Sequence, residues 1–249
     1  MTKVFVHGNP ETEAIWAPLV RELSSRGVDD VVLLSPPGFG APAPDGWGAT
    51  QDEYRGWLLG QLRGIDGPID LVGHDWGAGH VYGALAAEPG LVRTWAADCA
   101  GLLHPDYVWH DAARTWQTAG AGEESVAGLS AMGVDAFAAV FGALGMGDAV
   151  AREVAAHVNG EMARCILALY RSAAQPAMSR LGEEFRRAAP ARGLVIVAEN
   201  DHFAGTAQMH SEVAASVGAR VVHLAGVGHW WMTENPVSAA DALIAHWAG

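Results

Sequence analysis

Basic charge is scarce in this chain. Lys3 is the only lysine, and 15 Lys and Arg stand against 28 Asp and Glu, a formal net charge of −13. Such a balance argues against nucleic acid and against anionic membrane surfaces as partners. Cysteine is scarce too. Cys99 and Cys165 are the only two, both in apolar surroundings, which predicts buried free thiols of a reducing cytosol and leaves nothing to build a disulfide framework or a zinc site. Long apolar runs are also missing. The longest nearly uncharged stretch, "AFAAVFGALGMG" at 136–147, is too short and too glycine-rich to span a bilayer, and the opening "MTKVFVHGNP" has no basic, cleavable leader pattern. These features predict a soluble cytoplasmic protein with no membrane partner.

What the chain does have is apolar content. Half of its 249 residues are hydrophobic, enough to bury the core of one large α/β domain, with or without an insertion. Short apolar runs at 3–7, 31–34, 69–73, 92–98, 194–198 and 220–224 read as strands. Their apolar content is continuous rather than alternating, as expected of parallel strands covered on both faces. Helical patterns fill the gaps at 14–26, 49–63, 78–88, 206–217 and 236–247. This alternation predicts a doubly wound, mostly parallel sheet. One interval breaks the rhythm: about ninety residues, 101–190, are helical in character and read as a cap inserted over one end of the sheet. The expected organisation is therefore a core of 1–100 and 191–249 with a helical cap of 101–190. No internal repeat or low-complexity segment is visible.

Ligands of open parallel sheets bind beyond the carboxyl ends of the strands. Four polar clusters stand at such ends: His7-Gly8-Asn9-Pro10, His74-Asp75-Trp76, Glu199-Asn200-Asp201-His202 and Gly228-His229-Trp230. Within "LVGHDWGAGH" (71–80), Asp75 lies between glycines where a strand gives way to a helix, the context of a nucleophile elbow. Asp75, Asp201 and His229 follow the chain order nucleophile, acid, base. Each has a plainer reading: Asp75 as a helix N-cap, Asp201 as a loop cap and His229 as a packing partner of Trp230.

The stretches "HGNPE" (7–11), "PGFG" (37–40), "GHDWGAG" (73–79) and "GVGHWWMTENP" (226–236) resemble the α/β-hydrolase superfamily. Within it they are most similar to the branch of haloalkane dehalogenases, fluoroacetate dehalogenases and epoxide hydrolases. The likeness covers the sheet portion, while the insertion matches only in placement and in "LYRS" (169–172). It implies an α/β-hydrolase fold with a helical cap insertion. The family's leading hairpin has no counterpart before His7, which predicts a sheet edge that is shorter or differently covered. In a second dehalogenase subgroup the acid follows the fourth strand, which here would be Asp98.

Aspartate is the nucleophile suited to a saturated carbon bearing a leaving group, because a carboxylate needs no base to activate it. Attack by Asp75 would give an alkyl ester, and His229, oriented by Asp201, would activate the water that hydrolyses it. The backbone N–H groups of Asn9 and Trp76 are the expected oxyanion donors. The side chains of the same two residues resemble the halide-binding pair of haloalkane dehalogenases, an amide NH₂ and an indole N–H. Epoxide opening is the alternative. It needs an acid for the departing oxygen, which the family supplies as cap tyrosines; Tyr170 resembles one and Tyr107 is a candidate for the other.

Trp109, with His104, His110 and Trp116, is expected to line the pocket, and His202 to be a spectator. The reading is a hydrolase acting on a small molecule and water without cofactor or metal, carbon–halogen cleavage leading, epoxide hydrolysis next, and a non-catalytic binding protein of the same fold third. Oligomeric state is left open.

Overall fold

A computed structural model describes all residues 1–249. Six strands form one sheet: β1 (Thr2–Val6), β2 (Val31–Leu34), β3 (Ile69–Gly73), β4 (Thr94–Ala97), β5 (Gly193–Ala198) and β6 (Arg220–Leu224). The order is β2-β1-β3-β4-β5-β6 and every pairing is parallel, so the sheet is wholly rather than mostly parallel. The chain leaves β1 towards β2 on one side and returns to β3 on the other. That reversal opens a crevice beyond the carboxyl ends of β1 and β3. The edge strand β2 is only partly buried.

Between the strands lie α1 (Ala17–Ser25), α2 (Gln51–Arg63), α3 (Trp76–Ala87), α10 (Ala207–Ser216) and α12 (Pro236–Ala248). A short 3-10 turn, Glu13–Trp16, precedes α1, and one turn of helix, α11 (Trp231–Glu234), precedes α12. Between β4 and β5 run α4 (Asp111–Gln117), α5 (Ala121–Ala131), α6 (Gly133–Phe141), α7 (Asp148–Ala155), α8 (Gly160–Ser172) and α9 (Ala177–Ala188). No single helix is long and apolar enough to cross a membrane.

Successive strand residues feed two separate cores, as the pleat requires. Val4, Val6, Leu71 and Val195 pack with α2, α3 and α9, whereas Phe5, Val72 and Ile196 pack with Trp16, Leu19, Leu243 and Trp247 of the α1/α12 face. This two-faced burial explains the unbroken apolar runs in the sequence. The helical interval is not all cap. Its last helix, α9, lies against α3 beside the sheet, with Phe185 edge-on to Tyr82 and Trp95. The segment that closes over the strand ends is therefore shorter than 101–190, because the apolar face of α9 is covered by the sheet layer itself. Cys99 and Cys165 are free and buried.

Candidate functional site

The elbow is built with almost no loop. Strand β3 ends at Gly73 and helix α3 starts at Trp76, so the turn falls to His74 and above all to Asp75. Its backbone sits at φ 52, ψ −122, a conformation that costs a non-glycine residue about 1–3 kcal/mol and persists only where surrounding structure imposes it. The surroundings do so through close approach. A Cβ on Gly77 would lie 2.1 Å from the Val6 carbonyl oxygen, and one on Gly8 would lie 2.1 Å from Asp75 Oδ1. Only glycine lets β1 and its loop press so tightly on the elbow.

The Asp75 side chain does not cap α3. Oδ1 accepts the Asn9 backbone N–H at 2.8 Å, and Oδ2 lies 3.7 Å from His229 Nε2. On the far side of that imidazole, Nδ1 is 2.8 Å from Asp201 Oδ2, whose other oxygen accepts the Phe203 N–H. Asp75, His229 and Asp201 thus stand in one line at the ends of β3, β6 and β5. No hydrogen bond from the Trp76 backbone N–H to the Asp75 carboxylate is formed.

Asp98 points elsewhere. Its carboxylate holds His74 Nδ1 at 2.5 Å, the Trp231 indole and the Asp75 backbone N–H.

The electrostatics separate the two carboxylates. Burial pushes Asp75 up to about 6, with Glu11 adding to the rise and His229 opposing it. Burial acts the same way on Asp201, but the charge and hydrogen bond of His229 and the Phe203 N–H outweigh it and hold Asp201 well below the carboxylate range. For His229, burial lowers the pKa and Asp201 more than restores it, so the net shift is upward.

A cavity of about 540 Å³ opens above Asp75 and His229. Its walls are largely apolar, including Leu129, Met132, Phe141 and Leu144 of the insertion, and they include no lysine or arginine. Its polar lining includes Asn9, His110, Ser125 and Tyr170. Asn9 Nδ2 donates to the Tyr170 hydroxyl at 3.3 Å, and the Trp76 indole approaches the same oxygen without closing a hydrogen bond. Burial and Asp75 together push the Tyr170 hydroxyl well above its ordinary value, against those two donors, so it keeps its proton.

Several sequence-based expectations are corrected here. Trp76 does not line the cavity. Its ring is buried, stacked on Trp109 at 6.0 Å and edge-on to Tyr170 at 5.3 Å, so Tyr170 stands between its indole and the open space. Trp109 is covered in turn by Trp76, Tyr107 and Tyr170 and does not reach the cavity. Tyr107 spends its hydroxyl on the Phe203 carbonyl at 2.7 Å and is also outside the lining. His104 pairs with Glu212 away from the site, whereas His110 and Trp116 do line the cavity. His202 is exposed, and it is the neighbouring Phe203 that meets His229, ring to ring at 5.2 Å.

The sequence reasoning missed Glu11 and His74, both fully buried beneath the site. Their signal was present in "HGNPE" and "GHDWG", but an acid and an imidazole 63 residues apart declare no pairing. Two triplets bring possible metal donors together, Glu11–His74–His229 and Cys99–Asp201–His229. In each, donors are already bound to one another, His74 to Glu11 and His229 to Asp201.

Comparisons with known proteins agree with this architecture. No curated relative matches the chain at the sequence level. Among solved structures it is similar to haloalkane dehalogenase DbeA from Bradyrhizobium elkani USDA94, with 22% identity, a TM-score of 0.75 and coverage of 99% of this chain and 91% of that one. It is also similar to an E-2-(acetamidomethylene)succinate hydrolase, at 17% identity and a TM-score of 0.72, covering 100% and 92% of the two chains. Cfl2 from Burkholderia cenocepacia is a third, at 20% identity and a TM-score of 0.76, covering 98% and 87%. At such identities these likenesses speak for the fold. The sequence profile of the alpha/beta hydrolase family matches residues 4–242, which takes in most of β1, the other five strands, the elbow and His229, and by that match the chain belongs to the alpha/beta hydrolase family.

Proposed function

We propose that the protein hydrolyses a neutral, largely apolar substrate through a covalent ester on Asp75, and that the bond broken is the carbon–oxygen bond of an epoxide. The observation that carries the leaving-group assignment is the Tyr170 hydroxyl, which accepts from Asn9 and fills the space between the Asn9 amide and the Trp76 indole. In the sequence-based reading that space would receive a halide. Occupied by a hydroxyl whose oxygen is already an acceptor, it presents an O–H proton to the cavity instead. A departing alkoxide is a strong base and needs such a donor; a departing halide does not.

Asp75 Oδ2 attacks a ring carbon, and as the carbon–oxygen bond breaks the oxygen takes the proton of Tyr170. Asn9 and Trp76 steady the phenolate left behind. Since Tyr107 is occupied by Phe203, the second donor is His110. Its Nδ1 accepts the Ala113 N–H, so the neutral ring carries its proton on Nε2. Burial, with His229 nearby, lowers His110 to about 4 and keeps it neutral.

In the second step His229, oriented by Asp201, takes a proton from water, and the hydroxide adds to the ester carbonyl. Asp75 Oδ1 becomes the oxyanion there, already held by the Asn9 N–H. Collapse frees the diol, and the proton on His229 returns to Tyr170. The cavity's lack of a lysine or arginine, beside carboxylates, fits a neutral substrate rather than a haloacid.

Carbon–halogen cleavage is the second reading, favoured by the convergence of Asn9 and Trp76 on one point and by similarity to structures named as dehalogenases. Aryl and alkyl epoxides set beside haloalkanes of matched size separate the two. Diol formation that Tyr170→Phe lowers about 10²-fold is the expected result. Halide release that Tyr170→Phe leaves intact, without diol formation, would overturn it. Single turnover in ¹⁸O-water labels Asp75 on either reading.

A further inference from the structure

We propose that His74 is a positioning residue of this site: a buried imidazolium, bridged between Glu11 and Asp98, that ties the oxyanion loop to the elbow within a charged cluster packed against His229. Both ring nitrogens face carboxylates, Nδ1 to Asp98 Oδ2 at 2.5 Å and Nε2 to Glu11 Oε1 at 3.1 Å. Neither carboxylate oxygen has a proton to give while both are ionised, so each nitrogen carries its own. The ring and the Glu11 side chain are fully buried, where an uncompensated charge could not persist.

The remaining oxygens of the two acids hold backbone. Glu11 Oε2 accepts the Gly8 N–H at 2.8 Å, next to the Asn9 N–H that grips Asp75. Asp98 Oδ1 accepts the N–H of Asp75 itself at 3.0 Å. The Trp230 and Trp231 indoles donate to Glu11 Oε1 and Asp98 Oδ2, each at 2.7 Å. One cation thus fixes two acids, and the acids fix the loops after β1, β3, β4 and β6. Removing the charge on His74 would free all four together, which a simple packing histidine would not do.

The cluster also lies within electrostatic reach of the reacting groups. The His74 and His229 rings are 4.6 Å apart, tilted by 51°. His229 is faced by Asp201 and Asp75, which favour its charged form, and by Cys99 and His110 across the site. His74 opposes that charging, while Glu11 supports it. Two acids around one cation leave the cluster a net negative charge beneath Asp75, consistent with Glu11 raising that carboxyl. The consequence for catalysis rests on His229 being the base proposed above; the charge of His74 does not.

Long-range ¹H–¹⁵N correlation of the histidine rings in the full chain tests this directly. Wild-type His74 is expected to show two protonated nitrogens from pH 5 to 9, with no titration. In Glu11→Gln the His229 midpoint should move down by about one unit, because a neighbouring carboxylate charge is gone. Glu11→Asp, which keeps the charge but withdraws it by one methylene, should move it the same way by less. A neutral tautomer at His74 would overturn the proposal, as would an unmoved His229 midpoint in either variant. The wild-type spectrum decides the charge even if Glu11→Gln does not fold. If the midpoint moves while no epoxide or haloalkane is turned over, the function proposed above fails and this inference stands.

Discussion

The two ends of the sheet each bury a charge cluster, and they are built to opposite specifications. At the amino ends of β1, β3 and β4, Asp70 receives Lys3 at 2.5 Å, Arg93 at 2.6 Å and the Thr94 hydroxyl at 2.6 Å. Two of its partners, Lys3 and Arg93, are cations, and they outnumber it. Burial alone would raise Asp70, but the bonds from Arg93, Lys3 and Thr94 outweigh it and the net shift is down. At the carboxyl ends, Glu11, Asp75, Asp98 and Asp201 are gathered around histidines, with no lysine or arginine bonded to any of them. A cluster held by ammonium and guanidinium groups offers no imidazole to pass a proton. One whose only cations are imidazoles can move protons at neutral pH. The chain's scarcity of basic residues is thus unequally shared, and the only lysine is placed far from the chemistry.

The comparison breaks first at Asp75. Asp75→Asn should abolish turnover, by about 10³-fold or more, while the fold survives because the strained elbow keeps its backbone bonds; product assays beside circular dichroism check both halves. His229→Ala should come next, lowering turnover by about 10²–10⁴-fold and leaving Asp75 esterified, seen as an intact-mass gain equal to the bound substrate. At the opposite end the currency changes. Asp70→Ala should cost about 3 kcal/mol of stability, since it strands two partly buried cations, with kcat unchanged in the folded fraction; urea unfolding and initial rates measure the pair. Equal loss of activity and stability in either variant would erase the distinction between the ends.

The smallest effect is the most diagnostic. As the proposed nucleophile Asp75 must be ionised, and as the proposed base His229 must be neutral. His229 is raised above its ordinary value and Asp75 to about 6. Turnover should fall first as pH drops through the raised His229 value, and the ester-forming step as it drops through about 6. Asp70 is depressed, so the stability it contributes is complete above the ordinary carboxylate value and is lost only as pH falls through its lowered one. Protonating Asp75 relieves a buried charge and costs the fold nothing. Between pH 6 and pH 4 activity should therefore fade with Asp75, and Asp70→Ala should leave that activity profile unmoved. The thermal midpoint falls over the same window for another reason: burial holds His7, His110 and His246 down to about 4 and His80 down to about 3, so the unfolded chain binds more protons there. An activity midpoint that shifts in Asp70→Ala would contradict this.

Much of the site was legible because parallel sheets place it predictably. Continuous apolar runs gave strands, strand ends gave loops, and three polar residues in elbow order gave Asp75, Asp201 and His229 as a set that the structure brings into line. The six strands fall within two residues of their expected bounds. The misreadings came from the aromatic residues. Trp76, Trp109, Tyr107 and Tyr170 are alike in sequence as cavity candidates, yet only Tyr170 reaches the cavity. Stacking depth depends on how α4 and α8 lie over the strand ends, and no local pattern encodes that.

Sequence alone determined the sheet, the elbow and the kinds of group available at the strand ends, because these follow from short-range patterning and from glycines that only a sharp turn requires. Tertiary structure alone decided which acid serves which imidazole, giving Asp201 to His229 and Asp98 to His74. It also decided that the Tyr170 hydroxyl takes the Asn9 amide. Such pairings join residues tens to more than a hundred positions apart, and a hydrogen bond depends on distances that only the packed chain sets.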